Sequence, residues 1–284
     1  MLQLEHISKP TLLVEKDGEI KLLSGVLKKL KTFSELEALQ SQHKQEIAFV
    51  IPFAAARENG MEARGDEPLL AIEVQYTQTI KFSDIEQLVQ NQTIEFQTIF
   101  HPLISDADFA AEVDRIQKEE IAAGNACQVI YSRKFEAVFK QMSPLVPLIL
   151  FARLLKQTGQ YLTFLFSDGK GRYFVGASPE RQLEIHDENV IKNPISGTMP
   201  KGDLENFPER VSAFLQDKKE INELSQILDE ELKIMSQICP RGGKITGPFI
   251  RESGAVIHTE YHLVGHSKKP STTALRISLH APTL

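Results

Sequence analysis

Hydrophobic positions along residues 214–239, FLQDKKEINELSQILDEELKIMSQIC, recur at helical spacing. Stepping about 100° per residue places Phe214, Ile221, Leu224, Leu228, Leu232, Met235 and Cys239 on one face, which predicts one long amphipathic helix. Elsewhere the pattern alternates. TLLVEKDGEIKLLSG (11–25) predicts a hairpin turning at Asp17-Gly18. IAFVIPF (47–53) and PLLAIEVQYTQTI (68–80) predict strands flanking a polar turn region. FSELEALQSQHK (33–44) has helical spacing but little to pack. From Asp106 to Gly124 the pattern is helical, with Phe109, Val113, Ile116, Glu120 and Ile121 near one face and Gly124 placed as a C-cap. ACQVIYSRKFE (126–136) is β-like, and a helix begins near Ser143, with Pro144 and Pro147 in its first turn. YLTFLFS and RYFVGAS flank the turn Asp168–Gly171, and QLEIH turns at Asp187-Glu188-Asn189 into VIKNPISGT. Hairpins and long helices at irregular spacing imply an α+β fold with mixed, largely antiparallel sheets and helices packed outside. The expected organisation is one domain, 1–284, with an N-terminal subregion (1–100) and a motif-bearing region (101–284).

Composition narrows the class. Charged residues make up 25% and hydrophobic residues 42% of 284, values ordinary for a globular protein. A net charge of −6 argues against a nucleic-acid partner or a polybasic membrane anchor. No apolar run reaches the ~18 residues needed to span a bilayer. Cys127 and Cys239 form no CxxC pair, which fits a reducing, cytoplasmic location.

Four features can carry chemistry. Glu220 and Glu223 lie roughly 60° apart on one rim of the predicted helix, so both carboxylates can reach one point off its surface. Oxygen ligands in that arrangement suit a hard divalent cation, although Glu-x-x-Glu is also common on solvated helices. Asn193-Pro-Ile-Ser-Gly-Thr198 leaves a strand into a polar turn, offering N–H groups and a hydroxyl to a small carboxylate, or serving as a simple loop. Glu180 follows a tight turn, placed as a general acid or as a cap. His258 stands in an apolar stretch, where a histidine is commonly a satisfied core residue.

Taken together, ACQVIYSRKFE, GASPERQLEI, NPISGTMPKG, DKKEINEL and HTEYHLVG resemble, in order and approximate spacing, the chorismate-utilising enzymes. That family includes anthranilate, aminodeoxychorismate, isochorismate and salicylate synthases. LDEELKIMSQIC, GPFIRE, HTEY and ISLHAPT look most similar to the phenazine-type branch, whose enzymes make 2-amino-2-desoxyisochorismate; PFAAARENGMEARGDEPLLAI (52–72) extends the likeness towards the N-terminus. The resemblance implies an anthranilate synthase component I-like fold. It also implies Mg2+ held by Glu220 and Glu223, and Glu180 as the acid that protonates the departing C4 hydroxyl. Gly197 and Thr198 are then the loop touching substrate, and His258 faces the ring at the reacting end. Gln128 matches a position that is lysine where water is the nucleophile and glutamine where ammonia is. Ammonia needs no general base, so Gln128 favours amination of chorismate at C2.

The resemblance also implies a further C-terminal segment with a second glutamate pair, so the chain is expected to be incomplete after His280-Ala-Pro-Thr-Leu284. Neither cysteine lies in a nucleophile elbow, so ammonia is expected from a glutamine amidotransferase subunit or from solution. A homodimer is left open. Three readings follow: an aminodeoxyisochorismate-forming enzyme, an anthranilate synthase component I, or an inactive fragment retaining chorismate binding or subunit contact.

Overall fold

The computed structural model describes residues 2–42, 46–202 and 205–279. Helix α1 (Leu4–Ile7) leads into β1 (Pro10–Lys16) and β2 (Glu19–Leu30), with Lys16 opposite Glu19 across a two-residue turn. Asp17 (φ 54°) and Gly18 (φ 83°) both take the left-handed conformation that such a tight hairpin requires. Helix α2 (Phe33–Gln42), β3 (Ile47–Val50), a 3-10 turn over Phe53–Asn59, β4 (Leu69–Ile80) and α3 (Phe82–Val89) follow. The short pair β5 (His101–Pro102) and β6 (Phe135–Glu136) brackets α4 (Asp106–Arg115), and α5 (Leu145–Leu154) leads to β7 (Leu162–Asp168) and β8 (Tyr173–Ser178). The last part holds β9 (Arg181–His186), β10 (Asn189–Asn193), β11 (Ile195–Pro200), α6 (Phe207–Gln216), α7 (Lys218–Ile238), β12 (Gly243–Ser253), β13 (Val256–His266) and α8 (Ser271–Ser278).

Two sheets organise these elements, and all their pairings are antiparallel. The first runs β3-β4-β2-β1-β7-β8, so strands from either side of residue 100 share it. Alternation along β1 and β2 sends Leu13, Ile20 and Leu22 to one face, where they meet Ile85 of α3 and Leu148 and Phe151 of α5. Leu23, Ile72 and Phe166 form a second core on the opposite face. The other sheet runs β11-β13-β10-β9, with β12 also on β13. Val190 and Leu263 of that sheet pack against Ile234, Met235 and Ile238 of α7 and Ala274 of α8. Helix α8 also reaches α2, joining the two halves through Leu275, Leu279, Phe33 and Leu36. This is the expected α+β architecture.

Three local expectations are corrected. Residues 214–239 are not one helix: the chain breaks at Asp217 (ψ 121°), whose side chain caps α7 by accepting from Lys219 N at 2.7 Å. Asp217 and Glu220 stand in the D-x-x-E spacing of a helix start, a signal that the apolar stripe running through it masks in the sequence. Ile221 is consequently 48% exposed, and the buried stripe is Leu224, Ile227, Glu231, Ile234, Met235 and Ile238. Next, the predicted helix from Asp106 loosens into a π turn over Ile116–Ile121, although Gly124 takes its left-handed terminator conformation (φ 79°). Finally, ACQVIYSRKFE is not a strand up to Lys134; within it Phe135–Glu136 alone pairs as a strand. β-propensity describes a fit to a neighbouring surface, and without a neighbour it builds no ladder. The tail of the segment predicted helical at 33–44 lies outside the described residues beyond Gln42.

Candidate active site

The site is built where α7 passes behind the edge strand β11. The β11–β13 register pairs Ser196 with Thr259 and Thr198 with His258, so one extra residue, Gly197, bulges from the edge. Residues i and i+2 of a regular strand share a face, but the bulge puts Ser196 and Thr198 on opposite faces. Gly197 has φ +36°, and a Cβ there would lie 2.7 Å from Glu220 Oε2, 3.0 Å from Phe214 Cζ and 3.1 Å from Thr259 Oγ1. Glycine is needed for both the conformation and the space.

On the helix side, Glu220 and Glu223 converge. Lys219 Nζ donates to Glu220 Oε1 at 3.0 Å and lies 2.5 Å from Glu223 Oε2. Ser196 Oγ donates to Glu223 Oε1 at 3.1 Å. Glu220 Oε2 and Thr259 Oγ1 are buried and accept no hydrogen bond. An orphaned, shielded carboxylate oxygen is costly unless something binds it.

On the other face, Thr198 Oγ1 lies 3.2 Å from His258 Nδ1, and the Gly197 carbonyl 3.4 Å from the same nitrogen. That carbonyl can only accept, so a hydrogen bond to it uses the tautomer with the proton on Nδ1, whereas the nearer Thr198 hydroxyl can serve either tautomer. Burial pushes the imidazole below its ordinary value and Arg251 adds to this, against the Gly197 hydrogen bond and Glu260. His258 is therefore neutral near pH 7. Strand β11 is paired only along one side among the described residues, so its other edge is not covered by a neighbouring strand.

Glu180 sits at the β8–β9 junction. Its backbone N–H donates to Ser178 Oγ, and Ser178 Oγ donates to its carbonyl (3.2 and 3.0 Å). The turn is tied to the His258 strand through Asn193, whose Nδ2 donates to the Pro179 carbonyl and to Glu260 Oε2. Gln128 lines a cleft of about 570 Å3 together with Gln117, Lys219, Asn222 and Glu223, so the π turn, the extended segment and α7 form its walls. The described lining of that cleft does not include Thr198 or His258.

Sequence reasoning did not single out Lys219, Arg251 or Glu260, and within Asn193–Thr198 it gave roles to Gly197 and Thr198 but none to Asn193 or Ser196. Glu260 is 5% exposed; Asn193 donates to it at 3.1 Å, Arg251 NH1 lies 3.4 Å away, and His262 Nε2 is 2.9 Å from its other oxygen. A carboxylate in HTEYHLVG, two residues beyond His258 on the same strand face, was the available signal. Ser196 carried none, because its direction depends on the bulge.

Among the described residues no group of three or more His, Cys, Asp or Glu side chains could hold a metal ion, and no helix is long and apolar enough to cross a membrane. Two proteins named "Anthranilate synthase, phenazine specific" are similar to this chain. The one from Pseudomonas chlororaphis is 37% identical over 244 residues and the one from Pseudomonas fluorescens 35% identical over 241. Each alignment covers 84% of this chain but 38% of the relative, so the chain spans well under half of their length. A solved structure from Bacillus anthracis, described as a 2,3-dihydroxybenzoate-specific isochorismate synthase, shares the fold with a TM-score of 0.73 at 17% identity, covering 97% of this chain and 74% of that one. The family model described as "chorismate binding enzyme" matches residues 27–280. This chain belongs to the chorismate binding enzyme family.

Proposed function

We propose that the site takes chorismate and ammonia and forms 2-amino-2-desoxyisochorismate. The observation that carries this reading is the convergence of Glu220 and Glu223 beside the Gly197 bulge, with one Glu220 oxygen buried and unbonded. An all-oxygen pair fits Mg2+, which is held through one or two carboxylates and fills its remaining positions with water and substrate oxygens. When bound, Mg2+ supplies positive charge to grip the ring carboxylate and the charge that develops near it.

The chain's own residues then divide the work. Gly197 and Thr198 line the substrate's edge, and His258 faces the ring in its neutral form. The ammonia nitrogen bonds to C2, the two conjugated ring double bonds each move one position towards C4, the C4–O bond breaks, and the proton shed by the new ammonium passes to solvent. Glu180 gives the departing hydroxyl its proton, so that it leaves as water. Gln128 stands on the nucleophile side, where it can hydrogen-bond ammonia but cannot deprotonate water. The ammonia comes from a glutamine amidotransferase, in the cytoplasm.

A second reading, anthranilate formation by further loss of pyruvate, is favoured by the names of the relatives. Chorismate should bind saturably and depend on Mg2+, and Glu223→Gln should weaken both by about tenfold or more. Product masses after incubation with chorismate, Mg2+ and ammonium separate the two readings, since only the first product keeps the enolpyruvyl group. Isochorismate as the main product would overturn both.

A further inference from the structure

The two candidate metal ligands are not left facing each other. An ammonium lies between them: Lys219 Nζ is 3.0 Å from Glu220 Oε1 and 2.5 Å from Glu223 Oε2. Such distances are those of charge-assisted hydrogen bonds, so the nitrogen occupies the point at which the two carboxylates converge. Lys219 is the second residue of α7, one position before Glu220 and four before Glu223. Its backbone is anchored by the Asp217 cap, which accepts from the Lys219 N–H at 2.7 Å. The three groups differ in exposure. The lysine side chain is 69% exposed, whereas the glutamates are 16% and 25% exposed. The carboxylates are thus held by their surroundings, Glu220 against Gly197 and Glu223 by the Ser196 hydroxyl, while the ammonium reaches them from solvent on a flexible stem.

From this geometry we propose that the Lys219 ammonium is an internal stand-in for the divalent cation, and that metal binding at Glu220 and Glu223 exchanges it for Mg2+. The inference rests on the metal reading above and adds to it the occupant of the metal-free site. A bare pair of converging carboxylates repels itself and tends to splay. Here Gly197 and Ser196 hold the carboxylates in place, and the lysine offsets their repulsion until the cation enters. The same contact must be given up when it enters. The ammonium swings into solvent with its charge intact, no bond is made or broken covalently, and one positive charge leaves the carboxylates as two arrive.

The exchange makes a prediction opposite in sign to that of an ordinary supporting residue. If Lys219 merely organised the site, removing it would loosen the carboxylates and weaken metal binding. If it competes, removing it strengthens binding. The experiment is a titration of the 284-residue chain with Mg2+ by calorimetry, and with Mn2+ by electron paramagnetic resonance of the free ion, without chorismate. Wild type, Lys219→Gln, Lys219→Arg and Glu223→Gln are compared at low and moderate salt. Lys219→Gln should bind about fivefold to tenfold more tightly than wild type, a gain that shrinks as salt screens the lysine. Lys219→Arg keeps the charge and should stay near wild type. Equal or weaker binding by Lys219→Gln, with saturable binding in wild type that Glu223→Gln abolishes, overturns the exchange while leaving the metal reading intact. No saturable binding in any chain overturns both. The substituted side chain is largely exposed, and thermal melts of each variant confirm that it is folded.

Discussion

Helix α7 presents the same chemistry twice, in two environments. Near its start, Lys219 meets Glu220 and Glu223 at the rim of a cleft, with the lysine 69% exposed. About 12 Å beyond Glu223, at the rise of an α-helix, Glu231 meets Lys192 of β10 with both side chains only 1% exposed. Lys192 Nζ and both Glu231 oxygens have no hydrogen-bond partner besides their ionic contact. Burial pushes the Glu231 carboxyl up, and the Lys192 charge opposes it. The open pair is free to exchange its cation, whereas the sealed pair has nothing to exchange with. Desolvation decides between a site and a strut.

That contrast can be broken at its sealed end. A buried pair gains little over well-packed apolar groups, but a single survivor is a bare charge in the core. Lys192→Met and Glu231→Leu should each destabilise the chain by about 3–5 kcal/mol, and the double variant should recover most of the loss. Urea midpoints for the four chains give the coupling directly. Additive losses would mean that the two residues act separately.

An intermediate case lies where the two sheets meet. Glu184 of β9 takes Lys16 Nζ of β1 at 2.7 Å, Tyr161 OH at 2.5 Å and Arg181 NH1 at 3.1 Å, with Arg181 stacked 4.4 Å over the Tyr161 ring. Burial alone would push its carboxyl up, but the hydrogen bonds from Lys16 and Tyr161 and the Arg181 charge bring it below its ordinary 4.5. The ionised form is therefore the one that the fold prefers. Its contribution is complete above about pH 4.5 and is lost as the pH falls through the lowered value. Glu184→Gln should cost about 1–2 kcal/mol at pH 7, and the gap to wild type should narrow on acidification. Urea unfolding at pH 7 and pH 3.5 checks it; a gap independent of pH would assign the loss to packing.

The smallest effect belongs to the open pair. Lys219→Met should change the stability of the metal-free chain by less than about 0.5 kcal/mol, because exposed ion pairs contribute little. A loss of several kcal/mol would show that Lys219 is structural.

Much of the architecture was legible in local pattern. The hairpin at Asp17-Gly18, the turn at Asp187-Glu188 and the α5 start at Pro144 follow from which backbone conformations those residues tolerate. The order of the motif blocks led to the family, and the family match over residues 27–280 agrees. The break at Asp217 was present in the spacing of Asp217 and Glu220 but was outweighed by an apolar stripe that continues through it.

The rest required neighbours. ACQVIYSRKFE has the composition of a strand, yet its state depends on a partner that only the fold supplies or withholds. No periodicity distinguishes the Lys192–Glu231 strut from a surface pair, since the difference is burial between β10 and α7. By itself the sequence determined the hairpins and most helices, the family and the residue types at the site, because turn chemistry, side-chain period and chemical identity are local properties. Only the tertiary structure decided that the Gly197 bulge parts Ser196 from Thr198 and that Lys219 reaches both glutamates. Register, burial and the direction of a side chain are properties of surfaces meeting, and they exist only once the chain has folded.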